Sequence, residues 1–144
     1  MATVSDLLAK KGKMIHSVSS EATVFDAVRL MSEKGVGAVL VMEDGRVRGV
    51  VSERDILRRC AIHGTFPKDA RITEIMTKDV IFVKLDQTVE NCMELMTHEK
   101  IRHLPVLEGE RITGIVSIGD VVKSMLNEKD SMIKHYEKYI YEAY

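Results

Sequence analysis

Apolar residues recur along this chain with two different periods, and each period predicts a different element. A helix follows Thr23, a good N-cap residue, because the next apolar positions fall at i, i+3, i+4 and i+7. These positions are Val24, Ala27, Val28 and Met31. Two continuous apolar runs come next, at residues 36–42 and 47–51, and residues 43–45 (Glu-Asp-Gly) separate them. Runs of this length around Asp-Gly predict a β-hairpin.

The same order of elements returns sixty-five residues later in the chain. A helix is predicted after Thr88, with its apolar face at Val89, Cys92, Met93 and Met96. A second hairpin is predicted from the apolar runs 101–107 and 112–116, which turn at residues 108–110. Residues 21–57 align with 86–122 without a gap and share 11 identities. The chain is therefore an internal duplication.

A short strand candidate precedes each predicted helix, at residues 14–18 and 80–83. The repeat unit is thus strand, helix, strand, strand, helix, which places the fold in the α/β (α+β) class. The two repeats span residues 3–62 and 72–127, and a linker at 63–71 with Gly64 and Pro67 joins them.

Helical segments extend both ends of this pattern. Residues 3–10 predict a short helix that presents Val4, Leu7 and Leu8, with residues 72–76 as its counterpart. Residues 128–144 continue the helical spacing and have no counterpart in the first repeat. Four tyrosines lie in this tail: Tyr136, Tyr139, Tyr141 and Tyr144. Because tyrosine is enriched at interfaces, we expect the tail to pack on another subunit of a homodimer.

Composition narrows the class of protein. The chain has 144 residues, 45% of them apolar and 30% charged, with a net charge of −1. This balance favours a folded domain and gives no basis for nucleic-acid binding. Cys60 and Cys92 form no C-x-x-C pair, and neither a signal peptide nor an apolar run of about 18 residues occurs. We therefore expect a cytoplasmic protein without a membrane span, in which Cys92 packs as an unreactive core residue.

The pattern Gly-h-V-S-x-x-D, where h is apolar, occurs at residues 49–55 and again at 114–120. It predicts a strand that runs directly into a helix, with Ser at the N-cap and Asp three residues later. A helix start suits a phosphate group, and an acceptor-only carboxylate suits paired ribose hydroxyls. Ser-x-x-Asp is also an ordinary capping box, so the residues alone leave a binding role and a purely structural role open.

Arg102 and His103 begin the second hairpin, where the first repeat has Gly37 and Ala38. Arginine can chelate a phosphate and histidine can add a proton-dependent donor, although solvated side chains at a strand start would look the same. Other chemistry is not indicated: there is no Rossmann or P-loop glycine motif, and the five histidines lack metal-site spacing. No local nucleophile and base pair stands out, which weakens an enzyme interpretation without excluding it.

With these features together, residues 3–127 resemble a tandem pair of cystathionine-β-synthase-type (CBS) domains, known as a Bateman module. The resemblance rests on the twofold β-α-β-β-α pattern, on both Gly-h-V-S-x-x-D motifs, and on residues 101–106 (Ile-Arg-His-Leu-Pro-Val). It implies two repeats related by a pseudo-twofold axis that bind adenosine-containing ligands between them, and it implies pairing into a dimer. Gly37 and Ala38 depart from the basic or polar pair of the family pattern, so the two clefts need not bind the same ligand.

The resemblance also implies roles for particular residues. Asp55 and Asp120 would hold ribose hydroxyls, and Ser52 and Ser117 would lie at the phosphate end. The remaining implied ligand-binding positions are His16, Gly37, Ala38, Val50, Arg54, Ile81, Arg102, His103, Pro105, Ile115 and Gly119. Of these, Arg102 and His103 would reach phosphate, the backbone around His16 and Ile81 would flank adenine, and Val50 and Ile115 would lie beneath it.

The sequence therefore predicts a regulatory sensor with no catalytic residue, no metal and no catalytic cofactor. We expect it to bind an adenine nucleotide, AMP or NAD before ATP or ADP, and to signal occupancy to a regulated protein that the sequence does not identify. The alternatives are a ligand-free dimerisation module and a nucleotide-processing enzyme.

Overall fold

The computed structural model describes residues 1–12 and 14–143, with side-chain surroundings up to residue 138. In chain order the elements are α1 (Val4–Lys11), β1 (Ser17–Ser19), α2 (Val24–Lys34), β2 (Ala38–Glu43), β3 (Arg46–Ser52), α3 (Glu53–His63), a 3-10 helix (Ile72–Glu74), β4 (Val83–Lys84), α4 (Val89–Glu99), β5 (His103–Glu108), β6 (Arg111–Ser117) and α5 (Ile118–Ala143). They form two compact units. The first unit runs from Met14 to Ile81, and the second combines the residues before Met14 with those from Phe82 onward.

The first unit is built on a three-stranded sheet with β2 in the middle. β1 runs parallel to β2, and β3 runs antiparallel to it. Helix α2 connects the two parallel strands and starts at a capping box, in which Thr23 and Asp26 each bond the other's backbone N–H. Such caps contribute about 1 kcal/mol. One buried cluster of this unit comprises Val24, Ala27, Met31, Val39, Val41, Val51 and Ile72, and Ala38 and Leu40 are buried as well.

The second unit repeats this architecture with strands β4, β5 and β6 and helix α4. Its core includes Val4, Leu7, Leu8, Val83, Val89, Cys92, Met96, Leu104, Val106, Val116 and Val121. The predicted helix faces are confirmed in both units, with Val28 and Met93 half-buried at their margins. Two three-stranded sheets with five α-helices confirm the predicted fold class.

The short helices at the start of each repeat lie in the opposite units. α1 precedes the first repeat along the chain but packs in the second unit, where the Val4 N–H donates to the Gln87 carbonyl at 2.8 Å. The 3-10 helix packs in the first unit, and there the Ile72 N–H donates to the Ala22 carbonyl at 2.9 Å. Each compact unit is therefore assembled from two separate parts of the repeat pattern.

The predicted hairpins form, but their first strands start two residues later than the apolar runs suggested. Val36 N–H donates to Met31 O at 3.1 Å, and Ile101 N–H donates to Met96 O at 3.1 Å. Both residues follow a left-handed helix cap, at Gly35 and Lys100. Their amides therefore close the preceding helix and are not available to a strand. The strands expected at 14–18 and 80–83 are likewise shorter and shifted, since β1 spans Ser17–Ser19 and β4 spans Val83–Lys84.

A β-bulge recurs next to the glycine of each Gly-h-V-S-x-x-D motif. Val41 pairs with Gly49 while Met42 pairs with Val47, so Arg48 is the extra residue. β5 and β6 show the same shift beside Gly114. Close packing explains why residue 49 is a glycine, because a Cβ atom there would lie 2.6 Å from the Met76 sulfur.

α5 is one continuous helix of 26 residues that includes both the last helix of the second repeat and the tail. Met132, Ile133 and Tyr136 are each more than half exposed. The side chains of Tyr139 and Tyr141, and the whole of Tyr144, lie outside the described residues. None of the described helices is long and apolar enough to cross a membrane.

Candidate functional site

Each unit places a strand start directly beside a helix start. In the first unit, β3 ends at Ser52, which pairs with Ala38, and the Glu53 N–H donates to the Gly37 carbonyl at 3.0 Å. We call Gly37, Ala38, Val50, Ser52 and Asp55 the first-unit site.

The second unit has the same geometry. Ser117 pairs with His103 across β5 and β6, and the Ile118 N–H donates to the Arg102 carbonyl at 2.8 Å. We call Arg102, His103, Ile115, Ser117 and Asp120 the second-unit site. Residues that are 65 positions apart in sequence thus occupy equivalent places in the two sites.

Both Ser-x-x-Asp pairs form capping boxes. In the first-unit site, the Ser52 N–H donates to Asp55 Oδ2 at 2.8 Å, and the Asp55 N–H donates to Ser52 Oγ at 3.3 Å. The corresponding distances for Ser117 and Asp120 are 2.8 and 3.2 Å. Each box occupies Oδ2 of the aspartate, and a carboxylate has further acceptor sites on both oxygens. Capping and ligand binding are therefore compatible roles for these side chains.

Asp120 has a basic partner that sequence reasoning missed. Lys11, the last residue of α1, donates from Nζ to Asp120 Oδ2 at 2.6 Å and to the Ile115 carbonyl oxygen at 2.7 Å. Partial burial by itself would raise the pKa of Asp120, but the hydrogen bonds from Lys11 and Ser117 outweigh it and hold this pKa below its ordinary value. Asp120 is therefore an ionised, acceptor-only group at neutral pH.

Asp55 has different surroundings. Thr77 Oγ1 lies 3.4 Å from Asp55 Oδ1, and no cation among the described residues lies within ion-pair distance of this carboxylate. The Val50 carbonyl, which corresponds to that of Ile115, accepts the Thr77 N–H at 2.9 Å. The first-unit site thus has a threonine and a backbone amide where the second-unit site has a lysine ammonium.

The remaining candidates occupy the margins of the two sites. Arg102 is exposed and His103 is half-buried, whereas Ala38 is buried. Arg54 and Gly119 are exposed on the first turns of α3 and α5. Pro105 is buried opposite Ile115 in the strand register. His16 accepts the Leu40 N–H through its carbonyl at 3.0 Å, and Ile81 is half-buried at the end of the first unit.

A groove of about 570 Å³ runs between α1 and α5 in the second unit. It is lined by Ala2, Asp6, Leu7, Lys10, Lys11, Asp120, Lys123, Ser124 and Asn127. Lys11 and Asp120 can both be reached from it.

Outside the two sites, the groups that could support a reaction are possible metal ligands and the Cys92 thiol. In the part of the chain that the structure describes, no three His, Cys, Asp or Glu residues are grouped so that they could hold a metal ion. Cys92 is fully buried, and burial, with a smaller effect of Glu90, raises its pKa to about 11. A thiol with so high a pKa is a poor nucleophile at neutral pH, as expected for a core residue.

Comparison with known proteins bears on these two sites. The family model of the CBS domain matches residues 3–62 and 72–127. The mitochondrial CBS-domain-containing protein CBSX3 of Arabidopsis thaliana is 34% identical over 99% of this chain and 73% of its own length. A CBS-domain-containing protein of Agrobacterium tumefaciens superposes with a TM-score of 0.84 at 36% identity, over 86% of this chain and 99% of that one. The crystal structure of CBSX2 in complex with AMP is similar at 29% identity, with a TM-score of 0.70 over 90% of this chain and 99% of that one.

Proposed function

This chain belongs to the CBS-domain family, and on that premise we propose that it is a regulatory module that binds an adenine nucleotide and signals its occupancy to a partner protein. One observation carries the proposal: each unit holds an aspartate on the first turn of a helix that directly follows a strand, and the cap uses only Oδ2. The AMP bound to the related CBSX2 supports this ligand class. AMP and NAD are the first candidates, followed by ATP and ADP.

The proposed roles follow the position of each group. Asp55 and Asp120 accept hydrogen bonds from ribose hydroxyls, and Ser52 and Ser117 lie at the phosphate end. Adenine lies near the backbone of His16 or Ile81 and against Val50 or Ile115. None of these roles requires a covalent step, so the proposed module binds and does not catalyse.

The two sites are not equivalent, and we expect phosphate to contribute mainly in the second unit. The backbone carbonyls of Arg102 and Gly37 occupy the same place beside a helix start, and of these two residues only Arg102 brings a cation to the strand start. The candidate cation of the first unit, Arg54, lies instead on the exposed first turn of α3. Charge-assisted contacts to phosphate are about twice as strong as neutral ones. The second-unit site should therefore distinguish AMP from adenosine more strongly than the first-unit site does.

We also propose that the protein is a homodimer that pairs partly through the tail. Met132, Ile133 and Tyr136 are exposed on α5 and form an apolar surface that the described residues leave uncovered. Complete burial of an exposed Ile or Met side chain contributes about 1.5–3 kcal/mol, so covering Met132 and Ile133, which are about half exposed, should contribute about half of that each.

A cytoplasmic location remains a prediction from the sequence, and the related CBSX3 is mitochondrial by name.

The test is a thermal-shift panel with adenosine, AMP, ADP, ATP and NAD, followed by chromatography of each mixture. A ligand present at 100 times its dissociation constant should stabilise the protein by about 2.7 kcal/mol. We expect at least one nucleotide to raise the melting temperature and to be recovered unchanged. Conversion of a nucleotide would instead support an enzyme.

A ligand-free dimerisation module is the second candidate, and the capping geometry favours it. Asp120 already accepts from Ser117 and Lys11, so its presence can be explained without a ligand. Under this alternative no nucleotide in the panel shifts the melting temperature, while sedimentation still shows a dimer.

A further inference from the structure

The ammonium group of Lys11 has one N–H that the protein does not use. An ammonium carries three donors. Two of them reach Asp120 Oδ2 at 2.6 Å and the Ile115 carbonyl at 2.7 Å, and within the described residues the third has no partner. The Lys11 side chain is 35% exposed and borders the groove between α1 and α5. Its third donor is thus accessible from solvent.

Asp120 has an unused hydrogen-bond acceptor beside this donor. Oδ2 accepts from both Lys11 and the Ser117 N–H, whereas Oδ1 accepts from no residue that the structure describes. The Lys11–Asp120 pair therefore presents a donor and an acceptor side by side. A ribose hydroxyl needs both, because its O–H donates one hydrogen bond while its oxygen accepts another.

We propose that Lys11 is a second ribose-binding residue of the second-unit site, donating to the oxygen of the hydroxyl whose proton goes to Asp120 Oδ1. This inference rests on the proposed nucleotide-binding function and adds a specificity determinant to it. Binding should leave the Lys11–Asp120 ion pair in place, since the hydroxyl uses only the remaining donor and the remaining oxygen.

The structure also explains why this contact belongs to one site only. The equivalent carboxylate, Asp55, has Thr77 Oγ1 at 3.4 Å in place of an ammonium. A neutral hydroxyl is a weaker donor than a cation. Loss of a ribose hydroxyl should accordingly reduce affinity more at Asp120 than at Asp55.

The experiment is calorimetry with AMP, 2′-deoxy-AMP and 3′-deoxy-AMP in an Asp55→Asn background, which confines binding to the second-unit site. Lys11→Met removes the donor while keeping most of the side-chain volume. Lys10→Met is the matched control, because Lys10 borders the same groove without bonding Asp120. Lys11→Arg tests rescue by a second cation.

We expect Lys11→Met to weaken AMP roughly tenfold or more, Lys10→Met to leave it within twofold, and Lys11→Arg to recover part of the loss. The loss should shrink for the deoxy analogue that lacks the accepting hydroxyl. An unchanged AMP affinity in Lys11→Met, or an equal loss for all three ligands, would overturn the proposal. Lys11 would then serve only to bond α1 to Ile115 and Asp120. Failure of the parent protein to bind AMP or any other panel nucleotide would instead refute the proposed function.

A second measurement detects the contact in the parent protein, and a variant serves only to assign the signal. In the parent protein labelled with ¹⁵N-lysine, AMP should shift the Nζ resonance of Lys11 more than that of Lys10, with Lys11→Arg identifying the signal. AMP binding that leaves the Lys11 resonance unmoved would contradict the direct contact.

Discussion

Replacing Gly49 with alanine should destabilise the first unit, although glycine-to-alanine changes often stabilise proteins. A Cβ atom at this position would lie 2.6 Å from Met76 Sδ and 2.8 Å from the Thr77 carbonyl oxygen. The thioether can move, but the carbonyl is held by the paired hydrogen bonds between Val50 and Thr77, at 3.0 and 2.9 Å. The strand would have to shift to admit the methyl group.

The expected magnitude follows from two opposing effects. Overpacking a tight contact typically costs 1–3 kcal/mol, whereas the lower entropy of the unfolded chain returns about 0.4–1 kcal/mol. Mid-range values of the two effects leave a net loss of about 1 kcal/mol for Gly49→Ala. At Gly114 the nearest atoms are the terminal methyl carbons of Leu8, at 2.9 and 3.0 Å, which can rotate. Gly114→Ala should accordingly cost less than Gly49→Ala.

Urea denaturation followed by circular dichroism measures these differences. Gly119→Ala is the control, because a Cβ atom there meets only Ser117 Oγ at an ordinary 3.7 Å and the residue lies in α5. That change should raise stability by about 0.5–1 kcal/mol. If Gly49→Ala were as stable as the parent, or if Gly114→Ala were the more damaging change, the close-approach explanation would be wrong.

Three further predictions follow from the sites and the tail. Arg102→Ala should weaken AMP about ten- to a hundredfold and adenosine much less, because a phosphate contact is lost; calorimetry that gave equal losses would reject the phosphate role. Removal of residues 129–144 should weaken the dimer in sedimentation while circular dichroism shows a folded chain, and an unchanged dimer would place the interface elsewhere. Lys11→Met should lower the free energy of unfolding at pH 7 by at most about 1 kcal/mol, since the ion pair is partly exposed. The folded-state pKa of Asp120 lies below the ordinary 3.8, so the ion-pair part of this difference should be complete above pH 3.8 and be lost as the pH falls through the folded value. Only the loss of the Lys11–Ile115 hydrogen bond should then remain, and a difference independent of pH would contradict the ion pair.

Local patterns were enough to predict most of the fold. Thr23 and Thr88 cap their helices as expected, and the apolar positions that follow them face the two cores. The strand starts were misplaced because the amides of Val36 and Ile101 complete helix ends, and an apolar residue looks the same in either setting. Periodicity identifies a buried face but does not identify the partner of a backbone N–H.

The candidate sites were predictable only as far as the duplication repeats them. Ser52 and Asp55 stand out because Ser117 and Asp120 occur in register with them. Lys11 has no such signal, since it is 109 residues from Asp120 and Asp55 of the first unit has no matching ion pair among the described residues. The packing role of Gly49 was equally hidden, because it depends on a contact with Met76 across 27 positions.

The most direct test of nucleotide binding is calorimetry with AMP, or with whichever nucleotide the panel selects, on the parent and on the double variant Asp55→Asn, Asp120→Asn. An asparagine three residues after the N-cap can still accept the N-cap amide through its Oδ1, as Asn91 does for the Thr88 N–H in α4, so the variant should keep its fold, as a melting curve will show. The carboxylates are lost, and with them the charged acceptors for ribose. We predict saturable binding to the parent and at least a hundredfold weaker binding to the folded double variant. Equal affinity for both proteins would contradict the assignment of Asp55 and Asp120 as ribose-binding groups.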